Sequence, residues 1–199
     1  MHHQALPNRE GGADKMKNVI LGVLGVAIAL LTLPAFGQVK TEIAQALTAA
    51  PAGVAADAAV VRMDPSGRLT ELRAGTNGWT CIPPDDPAPV GNRNFPACFD
   101  RYGLEWIEDF FAGRKPNPEH VGYSYMLRGG WSWSNTDPAA QKLAPGRKDY
   151  IHIPPHIMIL GAKVADDSGF PSGQADPDTS RPFVMFGGTP FAILIIPVK

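Results

Sequence analysis

The side chain best suited to chemistry in this 199-residue chain is a histidine that stands close to a methionine. His156 and Met158 are separated by one residue, and on a β-strand residues i and i+2 share a face. An imidazole next to a thioether suits a copper ion, and Met126 and Met185 are further thioethers that could join them. The simpler alternative is that Met158 packs in the core and His156 hydrogen-bonds to nearby backbone. No run rich in His and Met is present, which favours this alternative, and we predict no cofactor.

A histidine can also act as a general base, which requires a carboxylate to orient it and a hydroxyl to activate. Asp137 and Asp178 are the carboxylates that we assign to this role. The nucleophile signature is incomplete, because Ser124 lies in Gly-Tyr-Ser-Tyr-Met, where a nucleophile elbow requires a final glycine. A hydrolase that uses His156 with Asp137 or Asp178, acting on an envelope or extracellular substrate, is therefore the alternative function.

Two tryptophans in a polar loop favour ligand binding instead. Trp131 and Trp133 follow a Gly-Gly pair, and their rings can form a platform for a sugar or another flat ligand. The alternative is that one of the two rings packs in the core and the other lies at the surface. The predicted ligand contacts are Trp79, Trp131, Trp133, Asn135, Asp137 and His156. We predict a non-catalytic domain that binds an unknown small molecule or envelope component, since each catalytic signature lacks a member.

The only two cysteines of the sequence predict a disulfide. Cys81 and Cys98 are separated by a proline-rich loop. The alternative is a redox or metal-binding thiolate pair, but the C-x-x-C spacing and the basic neighbours that lower a thiol pKa are both missing. A structural disulfide requires an oxidising compartment.

The N-terminal part of the sequence predicts export to such a compartment. Lys15 and Lys17 precede an uncharged apolar run that ends at Ala35-Phe36-Gly37, which is the pattern of a secretory signal peptide cleaved after Gly37. Met16 is the predicted true start. The alternative is a retained membrane anchor, which the glycines and Pro34 within the run oppose. We expect a periplasmic or secreted protein that meets the membrane only during export, unless the segment is retained.

Composition and patterning predict one domain behind this signal. The formal net charge of −1 gives no reason to expect nucleic acid as a partner. We assign residues 1–37 to the signal peptide with its N-terminal extension, 38–58 to an alanine-rich tether, and 59–199 to a single globular domain. The many glycines and prolines predict short elements joined by loops.

The elements of that domain predict the α+β class. Two apolar segments around Asp64-Pro65-Ser66-Gly67 indicate a β-hairpin. Asp100 can cap one main helix at about 100–112, which Gly113 ends. Short apolar runs in the C-terminal half indicate further strands, one of them interrupted by Pro154-Pro155. We expect a small antiparallel or mixed sheet of five or six short strands with this helix and one disulfide.

Several blocks of the sequence together resemble a family of exported bacterial proteins that has no assigned function. These blocks are Gly75–Cys81, Ser134–Pro138, Pro155–Ile159, Asp176–Ser180 and Gly188–Pro190. The resemblance covers about Val60 to Val198, which is nearly the whole predicted domain. It implies a bacterial source and export, and it implies no activity, cofactor or catalytic residue.

Overall fold

The computed structural model describes residues 33–64, 66–84, 95–140, 142–143, 145–148 and 150–198. The chain divides into a first unit, Met1–Lys40, and a compact second unit, Thr41–Lys199, which carries the sheet. The predicted start at Met16 and most of the predicted signal peptide lie outside the described residues. Within the described part of the chain, no helix combines the length and the apolar character needed to cross a membrane.

A mixed sheet of eight strands, counted over the described residues, dominates the second unit. The strands are β1 (Ala59–Met63), β2 (Leu69–Arg73), β3 (Thr80–Ile82), β4 (Ala97–Phe99), β5 (Gly122–Met126), β8 (His156–Leu160), β9 (Phe183–Met185) and β10 (Ile193–Pro197). Their spatial order is β2-β1-β3-β4-β5-β8-β10-β9, and neighbouring strands are antiparallel except for the parallel pair β1 and β3. The α+β class with a mixed sheet is confirmed, although the sheet has more strands than we predicted.

The structure also has helices and a small second sheet. The helices are α1 (Leu33–Ala46), a 3-10 turn (Leu47–Ala49), α2 (Ala52–Ala55), α3 (Arg101–Phe111) and α4 (Ala162–Asp167). The second sheet pairs β6 (Gly130–Ser132) with β7 (Ile151–Ile153). Pro154 and Pro155 separate β7 from β8, as predicted.

Local signals in the sequence explain several of these elements. The hairpin β1–β2 closes through an Asp64 carboxylate that accepts hydrogen bonds from the backbone N–H groups of Ser66 and Arg68. Helix α3 begins after Asp100, whose side chain accepts from the Gly103 N–H at 2.8 Å, and it ends before Gly113 in the left-handed region at φ 67°. The predicted hairpin and the predicted main helix are both present.

Alternation along the strands gives the sheet two buried faces. Helix α3 covers one face, where Phe99, Met158 and Leu160 belong to the largest hydrophobic cluster. The opposite face carries the Cys81–Cys98 disulfide, which joins directly paired residues of β3 and β4 and confirms the predicted bond. At the far end of that opposite face, helix α4 packs against β8 and β10.

The alanine-rich segment differs from the predicted tether over residues 38–58. From Thr41 onwards it belongs to the compact unit, and Ala46, Ala49 and Ala58 are fully buried against Val60 and the disulfide. The methyl side chain of alanine allows the backbone to approach the sheet closely, so an alanine-rich segment can cover a sheet face as well as link two parts. An ion pair between Arg62 and Glu42, at 2.6 Å, also joins this segment to β1.

Candidate functional site

A cavity of about 100 Å³ lies between helix α3 and the sheet. Its walls are apolar and aromatic: α3 contributes Trp106, Ile107, Phe110 and Phe111, and the sheet contributes residues of six strands. Among the described lining residues, His156 is the one titratable side chain. Apolar walls with a few polar groups are typical of small-molecule sites.

His156 enters the cavity as a neutral base. Its side chain is 1% exposed, and burial lowers its pKa from 6.5 to about 4, an effect that a hydrogen bond to backbone partly opposes. That bond joins Nδ1 to the carbonyl oxygen of Pro154 at 2.7 Å. A carbonyl only accepts, so Nδ1 carries the proton and Nε2 keeps its lone pair. No second hydrogen bond of the ring is found within the described residues.

Trp106 lines the same cavity with its ring, and its indole nitrogen is buried rather than exposed to the cavity. The indole Nε1–H of Trp106 has no hydrogen-bond partner among the described residues. The same holds for the buried hydroxyl of Ser124, a residue that pairs with Phe99 on one side and Met158 on the other in the sheet. Buried polar groups without partners are uncommon, because each costs about 1–3 kcal/mol. The polar atom that the cavity wall offers to a ligand is therefore Nε2 of His156.

A strained residue holds another part of the cavity wall. Phe186 has φ 58°, in the left-handed region that a bulky residue rarely adopts. Its N–H donates to the backbone oxygen of Asn135 at 2.7 Å, and its ring stacks against Phe110 and lines the cavity. The Asn135 side chain donates through Nδ2 to the carbonyls of Gln174 and Val184, so this predicted ligand contact instead holds the loop next to Phe186.

The structure separates the predicted aromatic contacts. Trp131 lines the cavity near His156, whereas Trp79 packs against Tyr125 beside the disulfide, on the other face of the sheet. The rings of Trp131 and Trp133 are perpendicular, with centroids 5.6 Å apart, and Tyr150 packs against both. Perpendicular rings do not make the flat platform that we predicted, and they form a packed aromatic cluster at one edge of the cavity.

The predicted catalytic carboxylates do not meet His156. Asp137 is exposed and accepts from the Ala139 N–H, and Asp178 is exposed and accepts from the N–H and hydroxyl of Ser180. Both carboxylates stabilise local turns, and the ring nitrogen that a carboxylate would orient already donates to Pro154. Within the described part of the chain, no carboxylate hydrogen-bonds to His156.

The candidate metal ligands share one location. His156, Met158, Met126 and Met185 all line the cavity. The sequence favours core packing of Met158 and a backbone hydrogen bond of His156, and no metal site is predicted there. Among the described residues, no group of three or more His, Cys, Asp and Glu side chains is placed to hold a metal ion.

The aromatic face of α3 is the part of the site that sequence reasoning missed. Its signal was available, because Trp106 and Phe110 widen the apolar stripe of the helix beyond what one packed face needs.

Comparisons of the chain with protein-family models, with curated proteins and with solved structures found no match.

Proposed function

We propose that this protein is an exported, non-catalytic domain that binds a small, mostly apolar molecule in the cavity between α3 and the sheet. The single observation that carries the proposal is a cavity of about 100 Å³ with apolar walls and one neutral histidine. Cavities with apolar and aromatic walls and a few polar groups are typical of small-molecule sites. An engineered apolar cavity of about 150 Å³ binds benzene, which sets the scale of the ligand at one ring or less.

The cavity supports binding rather than catalysis. A catalytic site needs at least two polar groups that converge on a reacting atom, and among the described lining residues His156 has no carboxylate partner. Export is supported by the apolar N-terminal segment of the sequence and by the Cys81–Cys98 disulfide, which forms in oxidising compartments.

Methyl NMR of the oxidised protein, labelled at its methionine methyl groups and titrated with toluene, tests this proposal. Met126, Met158 and Met185 line the cavity, and Met63 is buried in the same cluster outside it. We expect the three lining methyl signals to shift with a saturable dependence on toluene while the Met63 signal stays in place. Unshifted lining signals at saturating toluene would overturn the proposal.

A matched pair of variants locates the binding. Ala97→Leu places an isobutyl group in the cavity wall, so we expect it to abolish the toluene-induced shifts. Ala74→Leu makes the same change at an exposed position after β2 and is expected to bind toluene as the unaltered protein does. Equal binding by both variants would place toluene elsewhere and contradict the assignment.

A further inference from the structure

The geometry points to a neutral, hydroxyl-bearing ligand of phenol size, held by a hydrogen bond from its hydroxyl to Nε2 of His156. This inference rests on the proposed function and adds the chemical class of the ligand. It follows from two properties of the cavity: a fixed tautomer of His156 and the lack of charge in the described wall.

The tautomer of His156 decides which hydrogen-bonding group the ligand must supply. Nδ1 donates to the Pro154 carbonyl, 2.7 Å away, so Nε2 is the polar atom that the ring can offer to the cavity. A nitrogen lone pair accepts and cannot donate, and a ligand therefore has to bring an O–H or N–H group.

The absence of charged side chains from the described wall favours a neutral ligand. No Asp, Glu, Lys or Arg is found among the described lining residues. A carboxylate or ammonium group would lose its hydration in this cavity without an opposite charge to replace it. Carboxylic acids and amines are thereby disfavoured, and neutral alcohols and phenols fit.

A hydroxyl group meets both requirements. It donates its O–H to Nε2 of His156 and brings no charge into the cavity. The size of the cavity, about 100 Å³, limits the apolar body to about one ring.

Three probes of similar size separate these contributions: toluene, anisole and phenol. Toluene has no polar atom, anisole has an acceptor without a donor, and phenol has both. We expect calorimetric titration to give a dissociation constant for phenol about tenfold or more below that for anisole, because only phenol can donate to His156. Water hydrates the hydroxyl group of phenol more strongly than the methoxy group of anisole, and hydration therefore opposes tighter binding of phenol. A preference for phenol has to come from the protein.

Variants at His156 assign the preference to this residue. His156→Phe keeps an aromatic ring without an acceptor and is expected to bind phenol and anisole equally, whereas His156→Gln restores a carbonyl acceptor and part of the preference. His152→Phe makes the same change at an exposed histidine of β7 and is expected to keep the full preference. Retained folding of each variant is checked by its near-ultraviolet circular dichroism.

The outcomes separate this inference from the proposed function. Equal affinity of the unaltered protein for all three probes would overturn the hydroxyl-bearing ligand and leave the apolar-ligand function in place. A preference for phenol that survives in folded His156→Phe would also overturn it. Failure of all three probes to bind would overturn the proposed function and the inference together. If His156→Phe does not fold, the comparison of phenol with anisole on the unaltered protein decides.

Discussion

At the scale of single residues, burial makes His156 a base that stays neutral over a wide pH range. The fully buried ring has a pKa of about 4, well below the 6.5 of an exposed histidine, because the apolar cavity disfavours its charged form. This low pKa keeps Nε2 unprotonated as an acceptor for a ligand. It also makes the stability of the folded protein depend on pH in the acid range.

We expect the free energy of unfolding to fall as the pH drops from about 6.5 towards 4. In this range the unfolded chain binds a proton at His156 and the folded chain does not, so acid favours the unfolded state. Above pH 6.5 the stabilising effect is fully present, and by pH 4 it has fallen by about 3 kcal/mol, at 1.36 kcal/mol per pKa unit. Urea unfolding at pH 7 and pH 4.5 measures this change.

The His156→Phe variant isolates the histidine in that measurement. Other groups also titrate in acid, and they remain in the variant. We expect the difference in stability between pH 7 and pH 4.5 to be smaller in His156→Phe than in the unaltered protein by about 2–3 kcal/mol. The same difference in both proteins would show that His156 is not held neutral by burial.

The residues of the site show what a sequence can and cannot reveal at this scale. His156 was identified because an imidazole next to Met158 on a strand is chemically conspicuous. Its proposed partners Asp137 and Asp178 were not placed correctly from the sequence, because the loops that carry them fold back on themselves through local hydrogen bonds. Such turns depend on nearby residues, whereas the approach of a carboxylate to His156 depends on the packing of distant segments.

At the scale of elements, the start of helix α3 is fixed against strand β5. The Asp100 carboxylate accepts from the N–H groups of Gly103 and Tyr123, at 2.8 and 2.9 Å, and so binds the helix and the strand at once. Gly103 and Gly122 meet at this crossing, where a Cβ on Gly122 would overlap the backbone of Gly103. The two glycines thus allow the helix and the strand to approach closely at this point.

Gly122→Ala is expected to destabilise the protein by about 1–3 kcal/mol, because the added methyl group forces the helix away from β5. Thermal unfolding and the methyl spectrum of the lining methionines measure the effect. Gly53→Ala in α2 is the matched control: nothing lies within 4 Å of its added Cβ, and alanine favours the helix by up to about 1 kcal/mol. Similar effects of the two variants would contradict the role of the glycine contact.

The elements themselves were largely predictable, and their exceptions have a common cause. The β1–β2 hairpin, helix α3 and the break at Pro154 follow from turn residues, a capping aspartate and prolines, all of which act locally. The alanine-rich segment was misjudged because alanine carries little apolar surface, so its burial against Val60 depends on a sheet face that other parts of the chain create. The eight-stranded sheet exceeds the prediction because strands of three residues, such as β4, give almost no periodic signal.

At the scale of the whole molecule, the cavity is a product of distant segments. Its wall combines residues of α3 with residues of strands between β3 and β10. An unfilled space between such distant segments cannot be recognised in a sequence. The disulfide acts at the same scale, because it joins β3 to β4 across a loop of the chain. Disulfides form in oxidising compartments, and we therefore expect its formation to depend on the predicted signal peptide.

Expression in a bacterium of the full chain and of a chain without residues 1–37 tests this dependence. We expect the full chain to be recovered from the periplasm with Gln38 as its first residue and with no thiol available for alkylation. The shortened chain stays in the reducing cytoplasm and is expected to carry two free thiols. Closure of a loop of 17 residues by a disulfide stabilises a fold by about 3 kcal/mol, so the reduced protein should unfold at lower urea.

Intact-mass spectrometry after alkylation measures both the N-terminus and the thiols. Reoxidation of the shortened chain is the control, because it restores the disulfide without the export segment, and its stability is expected to return to that of the exported protein. A full chain that keeps residues 1–37 and stays with the membranes would show that the segment is an anchor. Free thiols in the folded periplasmic protein would contradict the stabilising role of the disulfide. The protein would then keep Cys81 and Cys98 in paired positions without a bond between them.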